Sequence, residues 1–404
     1  MKILFITGLY PHEQLEHLRV LAKGHIQNAP NTFQWAVVDG LVKNNIDFHI
    51  ISFPFLPSFP VGFSCLYTPS SNIIQNGVVL GEMVSYFTLV ACKSISIHWR
   101  LKKIVRDWIS KQYPKDEKLV ILTYTPNSPF ISAVKGFKKK HPNVLLATIV
   151  TDLVDDMMNY KSNRSLLKRI QCSIEKWNTK RMYKHIDKFV LLTEAMVEKI
   201  SAARDKYLVV EGIAVPPPFP NKRESGNFRS IFYSGTLEEF SGVSQLLDAF
   251  TQINHQNIQL IICGSGQLAS KVQECALKDP RIIYKGLISR EEVLELQKNS
   301  TILINPRRPD SDITRFSFPS KTMEYLSSGT PMIGYKLAGI PSEYYDYYYT
   351  VDSLSLDSLV HTIESVLSLP IEELNKKAVS AYDFIQRQKT SKIQIQRILN
   401  FLTK

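Results

Sequence analysis

A chain of 404 residues is long enough for two hydrophobic cores, and its 44% hydrophobic and 21% charged residues are those of a folded globular protein, which excludes disorder of the whole chain. The net charge of +12 is lopsided: residues 1–220 hold 28 Lys and Arg against 17 Asp and Glu, a balance of +11. Such a surface attracts anionic lipid, a phosphorylated substrate or nucleic acid, or is a solvated helix face; no zinc-finger or RRM-like motif is present, which makes nucleic acid the weakest of these.

In chain order, KILFIT (2–7) predicts a buried strand and TFQWAVVDGLVKN (32–44) a helix capped by Asn31 or Thr32. DFHIISF (47–53) predicts a second strand, and LVILTY (119–124), VLLATIV (144–150) and KFVLLT (188–193) predict further strands, each of these three followed by a helical stretch. This rhythm calls for a parallel sheet covered by helices on both faces. FPFLPSFPVGFSCLY (53–67) reads either as a lip for a lipid-linked acceptor or as a packed loop. GVVLGEMVSYFTLVACKSISIHW (77–99) is interrupted by Glu82 and Lys93 and falls short of a membrane span. The opening MKILFITGLYPHE lacks the apolar length and cleavage site of a secretory signal, and the five scattered cysteines show no CxxC spacing. A cytoplasmic protein with reduced thiols, soluble or peripheral to a membrane, is expected.

VPPPFPNKRESGN (215–227) breaks the pattern and reads as a linker. After it the alternation restarts, with SIFYSG (230–235), IQLIICG (258–264), RIIYKG (281–286), TILINP (301–306) and TPMIGY (330–335) as strands. GVSQLLDAFTQI (242–253) and SGQLASKVQECAL (265–277) read as helices. The fold class is therefore α/β, with two Rossmann-like doubly wound domains. The stretch 371–402 is helical, with an apolar stripe including Ala381, Phe384, Ile393, Ile395, Ile398 and Leu402; it either caps the second domain or crosses back to the first.

Ligands of such sheets bind at the carboxyl ends of strands. Three loops there carry glycine: SGTLEEFSG (234–242), CGSGQ (263–267) and KGLISREE (285–292). Glycine lets backbone approach a phosphate closely, although each such turn can be purely conformational. SFPSKTMEYLSSGTPMIG (317–334) predicts a helix starting near a proline and ending at Gly329. Lys321 lies in its first turn, which is electrostatically unfavourable unless an anion binds there, and Glu324 follows one turn later, able to accept two hydrogen bonds from a ribose diol. The plainer reading is a surface lysine and a glutamate that suits the helix dipole.

The order and spacing of YSGTLEEFSGVSQLLDAF (233–250), IQLIICGSGQL (258–268), RIIYKGLISREEVLELQKNSTILINP (281–306) and SFPSKTMEYLSSGTPMIG resemble the donor domain of glycosyltransferase family four. The first domain resembles it more loosely, through the first strand, DLVDDMMNY (152–160), LLTEAM (191–196) and VVEGI (209–213), pieces similar to a bacterial polysaccharide-synthesis branch. The resemblance implies the glycosyltransferase-B fold, two domains facing a cleft: 1–218 for the acceptor, 219–380 for the nucleotide-sugar donor, and a helix over 381–404. It implies retention of anomeric configuration, and neither metal nor other cofactor. The partners implied are a nucleotide-sugar donor, UDP-linked, and a glycan or lipid-linked glycan acceptor, with an anionic membrane surface as a further partner.

By the same resemblance Glu324 holds the ribose. Gly264, Ser265 and Gly266 line the nucleotide, and Lys285, Gly286 and Leu287 read the base. Gly235 and Thr236 open the diphosphate loop. Ser317, Phe318, Pro319 and Ser320 complete the donor side, while Gly8 and Asp152 belong to the acceptor side. Three positions depart from the family pattern: Phe316 stands where a sugar-contacting glutamate is usual, Thr236 where an arginine is, and Ser241 where a lysine is. Arg307, Arg308, Arg315 and Lys321 are the cations near enough in sequence to replace them, and Lys321 and Arg307 are assigned the catalytic role. The departures also fit a non-catalytic partner subunit, and the fold admits a sugar-nucleotide epimerase. Asp310 and Asp312 form an Asp-x-Asp read as a solvated loop; Asp152, Asp155 and Asp156 could suggest a metal cluster, but Asp152 follows a strand and either caps a helix or touches substrate; no histidines pair as metal ligands.

Overall fold

The apolar runs of the sequence form the strands of two separate sheets. The computed structural model describes residues 1–24, 26–112, 118–141, 143–153, 166–219, 229–254, 257–310 and 312–404. Asp155, Asp156, most of the segment 152–160 and most of the linker 215–227 lie outside the described residues. The chain divides into two units, Met1–Glu211 with Ser391–Lys404, and Gly212–Thr390.

In the first unit the elements run β1 (Lys2–Thr7), α1 (Leu15–Leu21), α2 (Asn28–Lys43), β2 (Asp47–Ser52), β3 (Ser71–Gln75), β4 (Val78–Met83), α3 (Val90–Gln112), β5 (Leu119–Tyr124), α4 (Ser128–Lys140), β6 (Val144–Val150), α5 (Leu166–Tyr183), β7 (Lys188–Leu191), α6 (Met196–Ile200) and β8 (Tyr207–Val209). The sheet order is β3-β4-β2-β1-β5-β6-β7-β8, parallel throughout except for the β3/β4 hairpin. β5 is buried at every position, as a central strand covered on both faces must be. Connections through α3, α4 and α5 all advance in one direction along the sheet, so right-handed crossovers put these helices on one face, where α3 packs on α4 and α4 on α5. The connection through α2 runs the other way and occupies the opposite face.

One reading of this unit is corrected. Helix α2 starts at Asn28 after Gln27, so neither Asn31 nor Thr32 is its N-cap. Asn31 instead lies inside the helix, buried, where its Oδ1 accepts the backbone N–H of Tyr10 at 2.8 Å. The stretch 77–99 is no single element but a β-strand followed, after six residues, by α3. Segment 53–67 is in good part a packed loop, with Phe53, Leu56 and Phe63 buried and Val61, Leu66 and Tyr67 exposed.

The second unit runs β9 (Arg229–Ser234), α7 (Val243–Gln252), β10 (Ile258–Cys263), α8 (Ala269–Lys278), β11 (Ile282–Tyr284), α9 (Arg290–Asn299), β12 (Ile302–Asn305), α10 (Ser320–Leu326), β13 (Met332–Tyr335), β14 (Tyr349–Val351), α11 (Leu356–Ser368) and α12 (Ile371–Gln388). Its strands are all parallel, in the order β11-β10-β9-β12-β13-β14. Counted within the unit this is 3-2-1-4-5-6, the order of dinucleotide-binding sheets, and it reverses between β9 and β12. Helix α8 begins at Ala269, later than its sequence suggests, because residues 265–268 are tied into turns: Leu237 N–H donates to the Ser265 carbonyl at 2.9 Å and Leu268 N–H to the Leu237 carbonyl at 2.8 Å. Helix α10 stops at Leu326, before Gly329.

The C-terminal stretch is two helices. After α12 the chain breaks at Lys389 and Thr390 and continues as α13 (Ser391–Thr403), which belongs to the first unit and packs along α2. Gly40 permits that approach, since a Cβ there would overlap the Ile395 side chain. Where the chain leaves and re-enters the second unit its two strands run side by side, with Ala214 N–H donating to the Lys389 carbonyl at 2.9 Å.

Candidate active site

The reversal between β9 and β12 opens a crevice at their carboxyl ends, and the residues just beyond those ends are Gly235 and Arg307. Lys321, in the first turn of α10, reaches the same place. A Cβ added to Gly235, whose φ is +155°, would overlap the Lys321 amine. The Lys321 Nζ stands 5.5 Å from the centre of the Tyr233 ring. Burial lowers the amine below the ordinary lysine range; the Glu324 carboxylate opposes this and the Arg307 guanidinium adds to it. Arg307 Nη2 donates to Ser317 Oγ at 3.0 Å, so a second cation is held at the crevice by the segment that leads into α10. Tyr233 donates its hydroxyl to the Thr236 carbonyl at 2.8 Å, and burial pushes its pKa up to about 12, so it stays a neutral donor.

The three glycine loops read from the sequence are neighbours. Gly235 N–H donates to the Cys263 carbonyl at 2.9 Å, and Gly264 N–H to the Gly286 carbonyl at 2.8 Å. Gly264, at φ +140°, leaves no room for a Cβ, which would overlap the Gly235 carbonyl; one on Gly266 would meet the Leu237 carbonyl. Tyr284 donates its hydroxyl to the Gly264 carbonyl at 2.9 Å, closing the loop from the other side. Ser265 lies between these glycines. Beyond β11, Lys285 N–H donates to the Ile262 carbonyl at 3.0 Å, and the side chains of Lys285 and Leu287 are exposed.

Glu324 is held by α9. Gln297 Nε2 donates to its Oε1, and Arg290 pairs with its Oε2 at 3.4 Å. Tyr233, Tyr284, Arg290 and Gln297 were not singled out from the sequence; Tyr233 and Tyr284 end apolar strand runs, where an aromatic hydroxyl at the sheet's carboxyl edge was the available signal. In the SFPS segment, Phe318 and Pro319 are buried, Phe318 with its ring 5.4 Å from that of Tyr344, whereas Ser320 is exposed. Ser317 and Ser320 thus offer polar groups, and Phe318 and Pro319 anchor them.

Phe316 is also buried, with the Arg315 guanidinium 5.3 Å from its ring centre. Ser241 spends its hydroxyl within its own turn, donating to the Glu238 carbonyl at 2.5 Å. Arg308 pairs with Asp310 at 2.9 Å, so that loop carboxylate already has a cationic partner.

The first unit has its own reversal, between β1 and β5. Gly8 follows β1, and its N–H donates to Gln34 Oε1 at 2.8 Å. A Cβ on Gly8 would overlap the Phe55 ring, which packs near Tyr124 and Phe130 at 6.1 and 6.4 Å between centres. Tyr10 donates to the Phe55 carbonyl at 2.6 Å. Asp152, beyond β6, is exposed, and Thr151 Oγ1 donates to its Oδ2 at 3.2 Å.

A parallel sheet whose reversal point gathers glycines, a desolvated amine and a guanidinium has the close backbone and fixed positive charge that suit an anion. Residues 218–382 match the family model described as glycosyl transferases group 1, which bears out the resemblance drawn from the motifs of the second unit. Solved structures with this fold include the lipopolysaccharide outer core galactosyltransferase WaaB in its apo form (14% identity, TM-score 0.60, covering 100% of this chain and 99% of that one). Sucrose-phosphate synthase from Thermosynechococcus elongatus is similar at 12% identity and a TM-score of 0.65, over 99% of this chain and 98% of that one. TarM of S. aureus, in complex with fondaparinux, alpha-GlcNAc-glycerol and UDP, is similar at 9% identity and a TM-score of 0.63, over the whole of both chains. These likenesses establish the two-domain glycosyltransferase-B fold. Among curated proteins, the signal recognition particle 54 kDa protein of Pyrobaculum islandicum is 21% identical over 182 residues, which are 44% of this chain and 38% of that one. The chain thus spans under half the length of that curated relative.

Proposed function

We propose that the protein is a retaining, metal-independent glycosyltransferase. It transfers a hexose from a nucleotide diphosphate sugar, UDP-linked, to a glycan on a lipid carrier, as in bacterial capsule, exopolysaccharide or O-antigen synthesis. Glycosyl transfer rests on the family match over 218–382 and on a fold shared with a galactosyltransferase. The observation that carries the reading is the meeting of Lys321, Arg307 and Gly235 at the reversal of the second sheet. TarM, of the same fold, is described with UDP bound.

In the reaction, the bond from the anomeric carbon to the phosphate oxygen breaks, a bond to the acceptor oxygen forms, and the acceptor hydroxyl passes its proton to the departing diphosphate. The departing diphosphate gains negative charge. The Lys321 ammonium and the Arg307 guanidinium meet that charge with fixed cations in a partly desolvated place, where they are worth most. They supply the charge that Thr236 and Ser241 do not. Glu324, oriented by Gln297 and Arg290, takes the ribose diol, and the Gly264–Gly266 loop gives backbone room for the nucleotide.

On this reading the protein works at the inner face of the cytoplasmic membrane, where nucleotide sugars and carrier-linked glycans meet; among the described residues no helix is long and apolar enough to cross a membrane. A thermal-shift screen with nucleotide sugars tests the donor: a ligand at a hundred times its Kd stabilises by ~2.7 kcal/mol. Absence of any shift with UDP, UDP-hexoses and other nucleotide sugars overturns the donor assignment. Turnover abolished by EDTA and restored by Mg²⁺ overturns metal independence. A non-catalytic partner subunit is the second reading, favoured by the buried Phe316 at the position of a usual carboxylate; transfer or donor hydrolysis by the isolated protein eliminates it.

A further inference from the structure

The exposed faces of α3 and α5 repeat one pattern. On α3 the exposed residues Cys92, Ile95, Trp99, Lys102, Lys103 and Arg106 recur at helical spacing, opposite a buried stripe of Ile97, Leu101, Val105 and Trp108. On α5 the exposed residues Ile174, Trp177, Lys180 and Arg181 follow the same sequence of an aliphatic residue, a tryptophan and then cations. The apolar members are far out of the core: Ile95 is 60% exposed, Trp99 61%, Ile174 56% and Trp177 59%. In each helix a cation lies over the indole, Lys102 Nζ at 4.9 Å from the Trp99 ring and Arg181 Cζ at 5.1 Å from the Trp177 ring. Both helices lie on the same face of the first sheet, with α4 between them. All three run against the strands, so on α3 Ile95 and Trp99 lie toward the strands' carboxyl ends, the edge that bears Gly8 and Asp152, while Ile174 and Trp177 lie near the middle of α5.

A core does not require any of this. A solvated helix face has no use for two tryptophans, and a protein-binding apolar patch would not be embedded in so much charge of one sign. By sequence α3 carries six basic residues against one acidic, α4 four against none, and α5 five against one. Tryptophan beside lysine and arginine on the exposed side of a helix matches one environment best, the headgroup region of an anionic bilayer. There the indole sits at the level of the glycerol backbone and the cations meet phosphate.

We infer that the α3–α4–α5 face is the surface by which the protein lies on an anionic lipid membrane, with Trp99 and Trp177 entering the headgroup layer and Lys102, Lys103, Arg106, Lys180 and Arg181 holding it there. The inference deepens the membrane part of the proposed function. It gives the lipid-linked acceptor a direction of approach, toward the edge of the first sheet where Gly8 and Asp152 stand.

The experiment uses the full chain and vesicles of phosphatidylcholine with and without phosphatidylglycerol. Of the four tryptophans, Trp35 and Trp108 are buried, so a change in emission reports Trp99 and Trp177. Emission is expected to shift to shorter wavelength with anionic vesicles only, and binding by co-sedimentation to weaken as salt rises. The double variant Trp99→Ser, Trp177→Ser should lose the shift and at least about tenfold of the binding. The triple variant Lys102→Glu, Lys103→Glu, Arg106→Glu should lose at least about a hundredfold, at ~1 kcal/mol for each cation near the surface. Both should keep the wild-type thermal shift with UDP. Unchanged emission of the wild type with anionic vesicles, or wild-type binding by both variants, overturns the inference. So does a wild-type dimer in solution that the tryptophan variant dissolves without any vesicle binding. If vesicles bind but no nucleotide sugar does, the face stands and the transferase reading fails.

Discussion

Gly8 and Gly235 occupy the same place in the two units, the first residue after the first strand of a parallel sheet, beside the point where strand order reverses. Neither has room for a Cβ, but what fills the room differs. At Gly8 it is the Phe55 ring, backed by Tyr124 and Phe130; at Gly235 it is the Lys321 amine, with Arg307 close by. One exit is walled by aromatic carbon and the other by positive charge. The backbone of a doubly wound sheet provides the opening in both cases, and the side chains arriving from later in the chain decide what the opening accepts. An aromatic wall suits the carbon face of a sugar ring, and a cationic wall suits a diphosphate.

The sharpest way to break this contrast is to remove the charge. Lys321→Ala is expected to lower kcat/KM by about tenfold to a hundredfold, since a charged hydrogen bond is worth ~1.5–3 kcal/mol, and Lys321→Arg to restore part of it. Steady-state kinetics with a UDP-sugar donor measures both; a silent Lys321→Ala together with a silent Arg307→Ala removes the cationic exit from the mechanism. Glu324→Ala should weaken UDP binding about tenfold in calorimetry, through loss of the proposed ribose contact, while the ligand-free melting curve stays cooperative. Unaltered affinity in the folded variant returns Glu324 to a purely structural role on α10.

A pH profile sharpens the comparison further. Burial holds the Lys321 pKa below that of ordinary lysine, so the cation is lost as pH rises through that lowered value, and kcat/KM should decline there. The decline should move to higher pH in Lys321→Arg. Stability has the opposite sign: in that window the unfolded chain binds more protons, so the ligand-free protein should gain stability as pH rises. An alkaline limb at the same pH in the arginine variant assigns the titration elsewhere. The smallest effect is expected at the aromatic exit. Gly8→Ala must displace the Phe55 ring, at ~1–3 kcal/mol of stability, but should leave the UDP thermal shift as it is. A loss of UDP binding in that variant would erase the division of labour between the two exits.

Much of the second unit was legible in the sequence because its strands are short continuous apolar runs ending in glycine or proline, and such runs fix both the element and the loop that follows. The grip of Gln297 and Arg290 on Glu324 was not, since it joins α9 to α10 across the fold, and no local spacing encodes that meeting. The hairpin of β3 and β4 was missed for a different reason. Its turn is Asn76-Gly77, both at positive φ, a strong local signal for a tight hairpin, but the apolar run that follows it also invites comparison with a membrane span. The extent of α10 was overread because SSG after Leu326 continues the polar–apolar pattern, while the structure ends the helix with Ser327 and Ser328 bonding back to the Met323 and Tyr325 carbonyls.

The placement of α13 carries a consequence for how the molecule is made. Residues 212–390 interrupt the first unit, and their two ends are joined by the bond from Ala214 to Lys389. During synthesis the second unit is therefore complete while the first unit still lacks the helix that covers α2 at Gly40 and Ile395. The part that begins first finishes last. Until residues 391–403 emerge, one apolar flank of the first sheet's helical layer stays open to chaperones or to misassembly, and the order of folding is set by topology and not by position in the chain.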